Sequence, residues 1–217
     1  KICHRMELGK DTYTLGKIRP EMEEELCRVL ADFVRIMEDY RVDDYRATAS
    51  SAISEASNSL YVLGKIHQLT GLSVTVLSNS EQRFLSYKAL AAMEDNFNKI
   101  IEKGTAILDL DGGSFQISLF DKDALVTTQN IRMGSLRIRE RLAGIQSETE
   151  HYEEMVEELI WNEVSSFKKM YLKDRKIENI MLIGDVFTDS VYQNIEEKTT
   201  KIISRENFNT WYEKIIR

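Results

Sequence analysis

The segment GTAILDLDGGSFQISLF, residues 104–120, decides how the chain is read. Ala106, Ile107 and Leu108 form an apolar, strand-like run that ends at Asp109. Asp111, Gly112, Gly113 and Ser114 make a sharp turn. Phe115, Ile117 and Leu119 then alternate with Gln116 and Ser118, the two-residue period of a strand. Adjacent glycines permit tight turning and let a ligand come close to the backbone. Asp109 therefore falls at the end of a buried strand beside exposed amides, an arrangement that can hold a metal ion or a phosphate. The same residues also read as a plain hairpin with no ligand.

Downstream, residues 121–123 are a turn and 124–129 a third strand. Gly134 opens a helix through Leu142 that carries Arg137, Arg139 and Arg141. Three arginines near a phosphate cleft invite an anion-binding reading. Their near alternation instead spreads them around the helix, which predicts a solvated surface. Residues 144–149 are a linker. A long helix at 151–170 turns Met155, Leu159, Ile160, Val164 and Phe167 inward. Residues 177–183 are an apolar strand ending at a Gly184-Asp185 turn. A short helix at 190–195, a short strand at 201–203 and a last helix at 206–216 follow, the last burying Phe208, Trp211, Tyr212 and Ile215.

Upstream, residues 2–14 read as a strand or an irregular segment, and 15–19 as a link. Pro20 suits the first turn of a helix, with Glu21, Glu23, Glu24 and Glu25 near its positive end. Met22, Leu26, Val29, Leu30, Phe33, Met37 and Tyr40 recur at helical spacing. Core packing and a homodimer interface both use such a face. A short strand falls within 43–49. From about Ser51 a helix runs to Thr70-Gly71, with Leu60, Leu63 and Ile66 on its apolar side. Its start is crowded with small residues: Ala49, Ser50, Ser51, Ala52, Ser54, Ala56 and Ser57. Exposed amides there can receive phosphate, and a serine cap with close packing explains the same pattern. Residues 72–77 are a strand. Ser78, Asn79 and Ser80 turn into a helix at 81–99 with Gln82 in its first turn, where a side chain can face a strand-end cleft or stand exposed.

This order of elements predicts an α/β fold with mixed sheets flanked by helices. It divides near Glu102 into a first lobe, residues 1–102, and a second, residues 103–217. The chain has 217 residues, 42% hydrophobic and 30% charged, with a net charge of −7, the composition of an ordinary globular protein. The negative charge argues against non-specific nucleic-acid binding. No stretch has the length of a membrane span, and no signal-like start is visible. Cys3 and Cys27 are too few for a disulfide framework. Reduced thiols and a cytoplasmic location are the expectation. His4, His67 and His151 are scattered, as surface or structural residues are. The chain begins at Lys1 rather than Met, as a fragment or a trimmed product would.

Several segments, in order, resemble the exopolyphosphatase and guanosine pentaphosphate phosphatase (Ppx/GppA) family, within the actin-like ATPase (ribonuclease H-like) folds. Residues 15–18 resemble the leucine/glycine segment before the family's first long helix. Residues 49–58, ASSAISEASN, resemble Ala-Thr-Ser-Ala-x-Arg-x-Ala-x-Asn. Residues 71–87 resemble its strand, Ser-Gly turn and Glu-Ala-containing helix. Residues 109–116, DLDGGSFQ, resemble Asp-Ile-Gly-Gly-Gly-Ser-Thr-Glu, and 130–140 resemble the Leu-Gly segment that follows. The resemblance implies two actin-like lobes with phosphate in the cleft between them. It implies hydrolysis of terminal phosphoanhydride bonds with magnesium, on polyphosphate or a phosphorylated nucleotide. Asp109 takes the metal position. Gly112, Gly113, Ser114 and Asn58 take phosphate positions.

The departures bear on chemistry. Ser54 stands where the resemblance implies a phosphate-binding arginine. Gln82 and Gln116 stand at catalytic positions where it implies glutamate. Asp111 replaces the first glycine of the phosphate turn, and Asn79 the glycine of the Ser-Gly turn. Glycine-rich residues are also missing at 184–186. A glutamine can orient water but cannot act as a carboxylate base. The family's opening strands and later helical domain have no counterpart in the chain. Two expectations follow: a phosphohydrolase with weakened chemistry, or an inactive relative that binds a phosphoryl ligand or another protein.

Overall fold

The computed structural model describes residues 2–143, 151–184 and 204–215. Two sheets organise it. In the smaller, β1 (Ala47–Ala49) and β2 (Val74–Val76) pair in parallel. The larger has four strands: β3 (Thr105–Leu110), β4 (Phe115–Asp121), β5 (Ala124–Ile131) and β6 (Asn179–Ile183). Their order is β5-β4-β3-β6. The first three form an antiparallel meander, and β6 joins β3 in parallel, so the sheet is mixed. The expected hairpin at residues 104–120 is therefore the centre of this sheet.

The small sheet carries α2 (Pro20–Asp39) and α4 (Ser59–Thr70). Pro20 occupies the first turn of α2, where its missing N–H costs no hydrogen bond. Ile18, Cys27, Ile53, Val62, Ile66 and Leu72 close a core there. The larger sheet is covered on both faces. On one, Ile107 and Phe120 pack against Tyr87 and Leu90 of α5 (Asn79–Met93) and against Phe97 and Ile101 of α6 (Phe97–Ile101). On the other, Ile117, Leu119 and Ile131 meet Phe167 of α8 (Tyr152–Tyr171). Coverage of both faces explains why residues 116–120 of β4 are all buried. Although α5 and α6 precede the expected junction near Glu102, they share a core with β3 and β4. Two further helices are α7 (Ser135–Leu142) and α9 (Arg205–Ile215).

Four expectations are corrected. Residues 2–14 are not a strand or irregular throughout: residues 2–7 carry no regular element, but α1 (Leu8–Leu15) follows and packs against α7. Its buried residues are Gly9, Asp11 and Thr12, so no apolar period marks it. Second, the helix expected from Ser51 to Thr70 is broken into α3 (Ser51–Ser54) and α4. The Asn58 amide lies at the break, accepting from Ile18 N (3.0 Å) and donating to Ile18 O (2.8 Å). Third, the helix expected at 81–99 breaks where Glu94 turns extended and its carboxylate accepts from Asn96 N. Fourth, Tyr40, Leu60, Ile160 and Tyr212 are exposed rather than turned to the core. The expected helix at 190–195, the strand at 201–203 and the linker at 144–149 lie outside the described residues.

Candidate functional site

The central hairpin brings Asp109 to the end of β3, opposite Gln116 across the antiparallel pair and Ile183 across the parallel one. Ser86 Oγ donates to Asp109 Oδ2 at 3.1 Å. Burial pushes the Asp109 carboxyl above its usual range. The Ser86 bond opposes that shift, and the nearby charge of Asp111 adds to it.

The turn after β3 is held by its own acid. Asp111 Oδ1 accepts from Gly113 N at 2.7 Å and Ser114 N at 2.6 Å, while Asp111 N donates to Ser114 O. These are the amides that the sequence assigns to phosphate, and a carboxylate already sits on them. Gln82 Nε2 donates to Asp111 Oδ2 at 3.4 Å. The first turn of α7 clamps the turn from behind, with Ser135 N on Asp111 O and Arg137 N on Gly112 O. Gly134 caps that helix so close to the turn backbone that a Cβ would collide with it.

Asp109, Asp111, Gln82, Gln116 and Ser114 line one shallow cleft that opens to solvent. Asn79, Arg83 and Asn130 complete the lining. Asn130 Nδ2 donates to Ser114 Oγ at 3.2 Å. A capping box sets the start of α5, where Gln82 stands. Ser78 Oγ accepts from Glu81 N, and Glu81 Oε2 accepts from Ser78 N.

The other predicted residues lie elsewhere. Gly112 and Gly113 form the turn, but the Gly113 amide faces Asp111. Ser54 is exposed at the end of α3 and does not line the cleft. Asn58 spends both ends of its amide on Ile18, which makes it a backbone clamp.

Arg137 is not on a solvated surface as its spacing predicts. Its Nη2 pairs with Glu55 Oε2 at 2.8 Å and its Nε donates to Gly113 O at 2.8 Å. Its guanidinium lies 4.0 Å from the centre of the Tyr13 ring, close enough for a cation–π contact. The Tyr13 hydroxyl bonds Ser51 Oγ at 2.9 Å. A side chain at Gly113 would overlap both hydroxyls, so only glycine lets α1 and α3 approach the turn this closely. This set of contacts ties the α1/α3 region to the turn through groups distant in sequence, Arg137 and Glu55 being 82 residues apart. No local pattern signals it. Arg83 was also missed, although it follows Gln82 directly.

The description of the Ppx/GppA phosphatase family matches residues 2–217. This chain belongs to that family. A bifunctional 3-dehydroquinate synthase/phosphatase of Fusobacterium nucleatum is 21% identical over 89% of this chain and 29% of its own length. Exopolyphosphatase 1 of Mycobacterium leprae is 27% identical over 52% of this chain and 32% of its length. The chain thus spans about a third or less of either curated relative. Two solved structures carry the same fold. An exopolyphosphatase from Cytophaga hutchinsonii superposes with a TM-score of 0.77 at 19% identity, over 96% of this chain and 68% of that one. A family member from Aquifex aeolicus gives 0.68 at 19% identity, over 95% and 66%. The α/β architecture with a mixed sheet flanked by helices is therefore that of the Ppx/GppA family.

Proposed function

We propose that the cleft beside Asp109 binds the terminal phosphoryl group of inorganic polyphosphate or a guanosine pentaphosphate-type nucleotide and hydrolyses it slowly. Family membership supports phosphoanhydride hydrolysis as the reaction class. The relatives named exopolyphosphatases support the polyphosphate branch. On this reading the two sheets belong to the two lobes of an actin-like, ribonuclease H-like ATPase fold.

One observation carries the slow-turnover part: the Asp111 carboxylate on the Gly113 and Ser114 amides. Phosphoryl transfer depends on fixed donors for the equatorial oxygens and on an oriented water. Here an anion of the chain competes with the substrate for the donors, and its charge repels an incoming phosphoryl group. Gln82 can orient a water by hydrogen bonds, but its amide takes no proton. Gln116 lines the cleft with the same restriction.

Among the described residues no three His, Cys, Asp or Glu side chains are gathered for a metal. Asp109 nevertheless fits magnesium, which is usually held by one or two carboxylates together with water and substrate phosphates. When bound, magnesium would neutralise charge on the phosphoryl oxygens. Asp109 must be ionised to hold it, and burial opposes that ionisation.

Calorimetric titration with tripolyphosphate, with and without magnesium, tests the assignment. The expected result is binding that strengthens with magnesium and loses that increment in Asp109→Asn. Tight binding indifferent to magnesium and to Asp109 would place the ligand elsewhere. Binding without measurable phosphate release would favour a non-catalytic phosphoryl-binding module.

A further inference from the structure

Arg83 lines the cleft from α5. Its Nη1 donates to Thr128 Oγ1 on β5 at 3.2 Å and its Nη2 to Ser80 Oγ at 3.0 Å. Both partners are uncharged. Among the described residues no carboxylate lies within ion-pair distance of this guanidinium. Two arginines of α7 differ: Arg137 is paired with Glu55, and Arg139 with Glu7 and Glu140. A guanidinium presents five N–H donors, and two hydroxyls leave most of them uncommitted.

The head of Arg83 is also positioned from the core. Tyr87 donates to Ser118 Oγ at 2.6 Å, and Ser118 is buried on the central strand. Ser118 Oγ in turn bonds Thr128 Oγ1 at 3.1 Å, and Thr128 receives Arg83. This relay fixes a cation at the cleft before any ligand arrives, which lowers the ordering cost of binding. The donors expected from sequence are engaged or absent: Asp111 occupies the turn amides, and Ser54 does not line the cleft.

We propose that Arg83 is the oxyanion donor of this cleft, gripping phosphoryl oxygens in place of the turn amides. The inference rests on the phosphoryl-binding reading above and names the residue that would carry it. A planar guanidinium can engage two oxygens of one phosphoryl group, which an ammonium cannot reproduce.

Titration of the full chain with tripolyphosphate at fixed ionic strength tests it, using Arg83→Gln, Arg83→Lys, Thr128→Val and Gly113→Ala. Unfolding temperatures are recorded alongside. Arg83→Gln should weaken binding by roughly tenfold to a hundredfold. Arg83→Lys should recover only part of that loss. Thr128→Val should weaken binding less, by freeing the Arg83 head without removing its charge. Unchanged affinity in Arg83→Gln would overturn the role of Arg83, and a loss in Gly113→Ala at an unchanged unfolding temperature would then leave the turn as the phosphoryl seat. No binding by the parent chain would overturn both this inference and the reading beneath it.

Discussion

Replacing Asp111 by glycine removes the carboxylate from the turn and leaves Gly113 N and Ser114 N facing the cleft. Two charge-assisted hydrogen bonds are lost, at 2.7 and 2.6 Å. Each is worth roughly 1.5–3 kcal/mol, but water reaches the freed amides, so the net loss of stability is about 2 kcal/mol. For a chain of this size that lowers the unfolding temperature by roughly 4–8 °C. Binding should move the other way. A carboxylate about 4 Å from a phosphoryl charge repels it by roughly 4 kcal/mol at an effective dielectric near 20. Solvent and salt in an open cleft reduce this to about 1–3 kcal/mol, and the two amides become donors. Tripolyphosphate should therefore bind Asp111→Gly roughly fivefold to a hundredfold more tightly. Thermal unfolding and calorimetric titration measure both effects. Lower stability with unchanged or weaker binding would refute the idea that Asp111 occupies an anion seat.

Arg137→Ala strands Glu55 and releases Gly113 O and the Tyr13 ring. Both ionic side chains are mostly shielded, so the expected loss is about 2–3 kcal/mol, read from urea unfolding. An unchanged midpoint would mean that these contacts do not hold the α1/α3 region to the turn. Asp109→Asn should change the pH profile of stability. Because folding raises the Asp109 pKa, its contribution is full below the unfolded value near 3.8 and is lost as pH rises through the folded one. In magnesium-free buffer the variant should gain on the parent across that rise, and the gain should vanish in more acidic buffer. A pH-independent difference would argue that burial does not dominate at Asp109.

The central sheet was legible because its physics is local. The alternation of Phe115, Ile117 and Leu119, the paired glycines and the neighbouring apolar runs identify strands and turn without reference to distant residues. The start of α2 was legible through Pro20 for the same reason. α1 was hidden because the face it buries is Gly9, Asp11 and Thr12. Asp11 is satisfied by Arg19, and Thr12 donates to Ala52 O, so hydrogen bonds replace the apolar stripe that marks a helix. At the site, the strand-end position pointed to Asp109 and the family resemblance to Gln82, Gln116 and Ser114, and the four share a cleft. Sequence did not reveal which group occupies the turn amides. Asp111 read only as a replacement for the first glycine of the phosphate turn, whereas its side chain folds back two and three residues to cap its own turn. Asn58 and Arg137 were misread because their partners, Ile18 and Glu55, lie 40 and 82 residues away.

Magnesium-dependent release of terminal phosphate from polyphosphate and from guanosine pentaphosphate, by the parent chain beside an Asp111→Gly/Gln82→Glu variant, tests the central claim most directly. The variant clears the turn amides and supplies a carboxylate base, a function worth roughly 100- to 10,000-fold in rate. The account predicts slow release by the parent and a gain of that order in the variant. Rapid release by the parent, unimproved by the two changes, would contradict it.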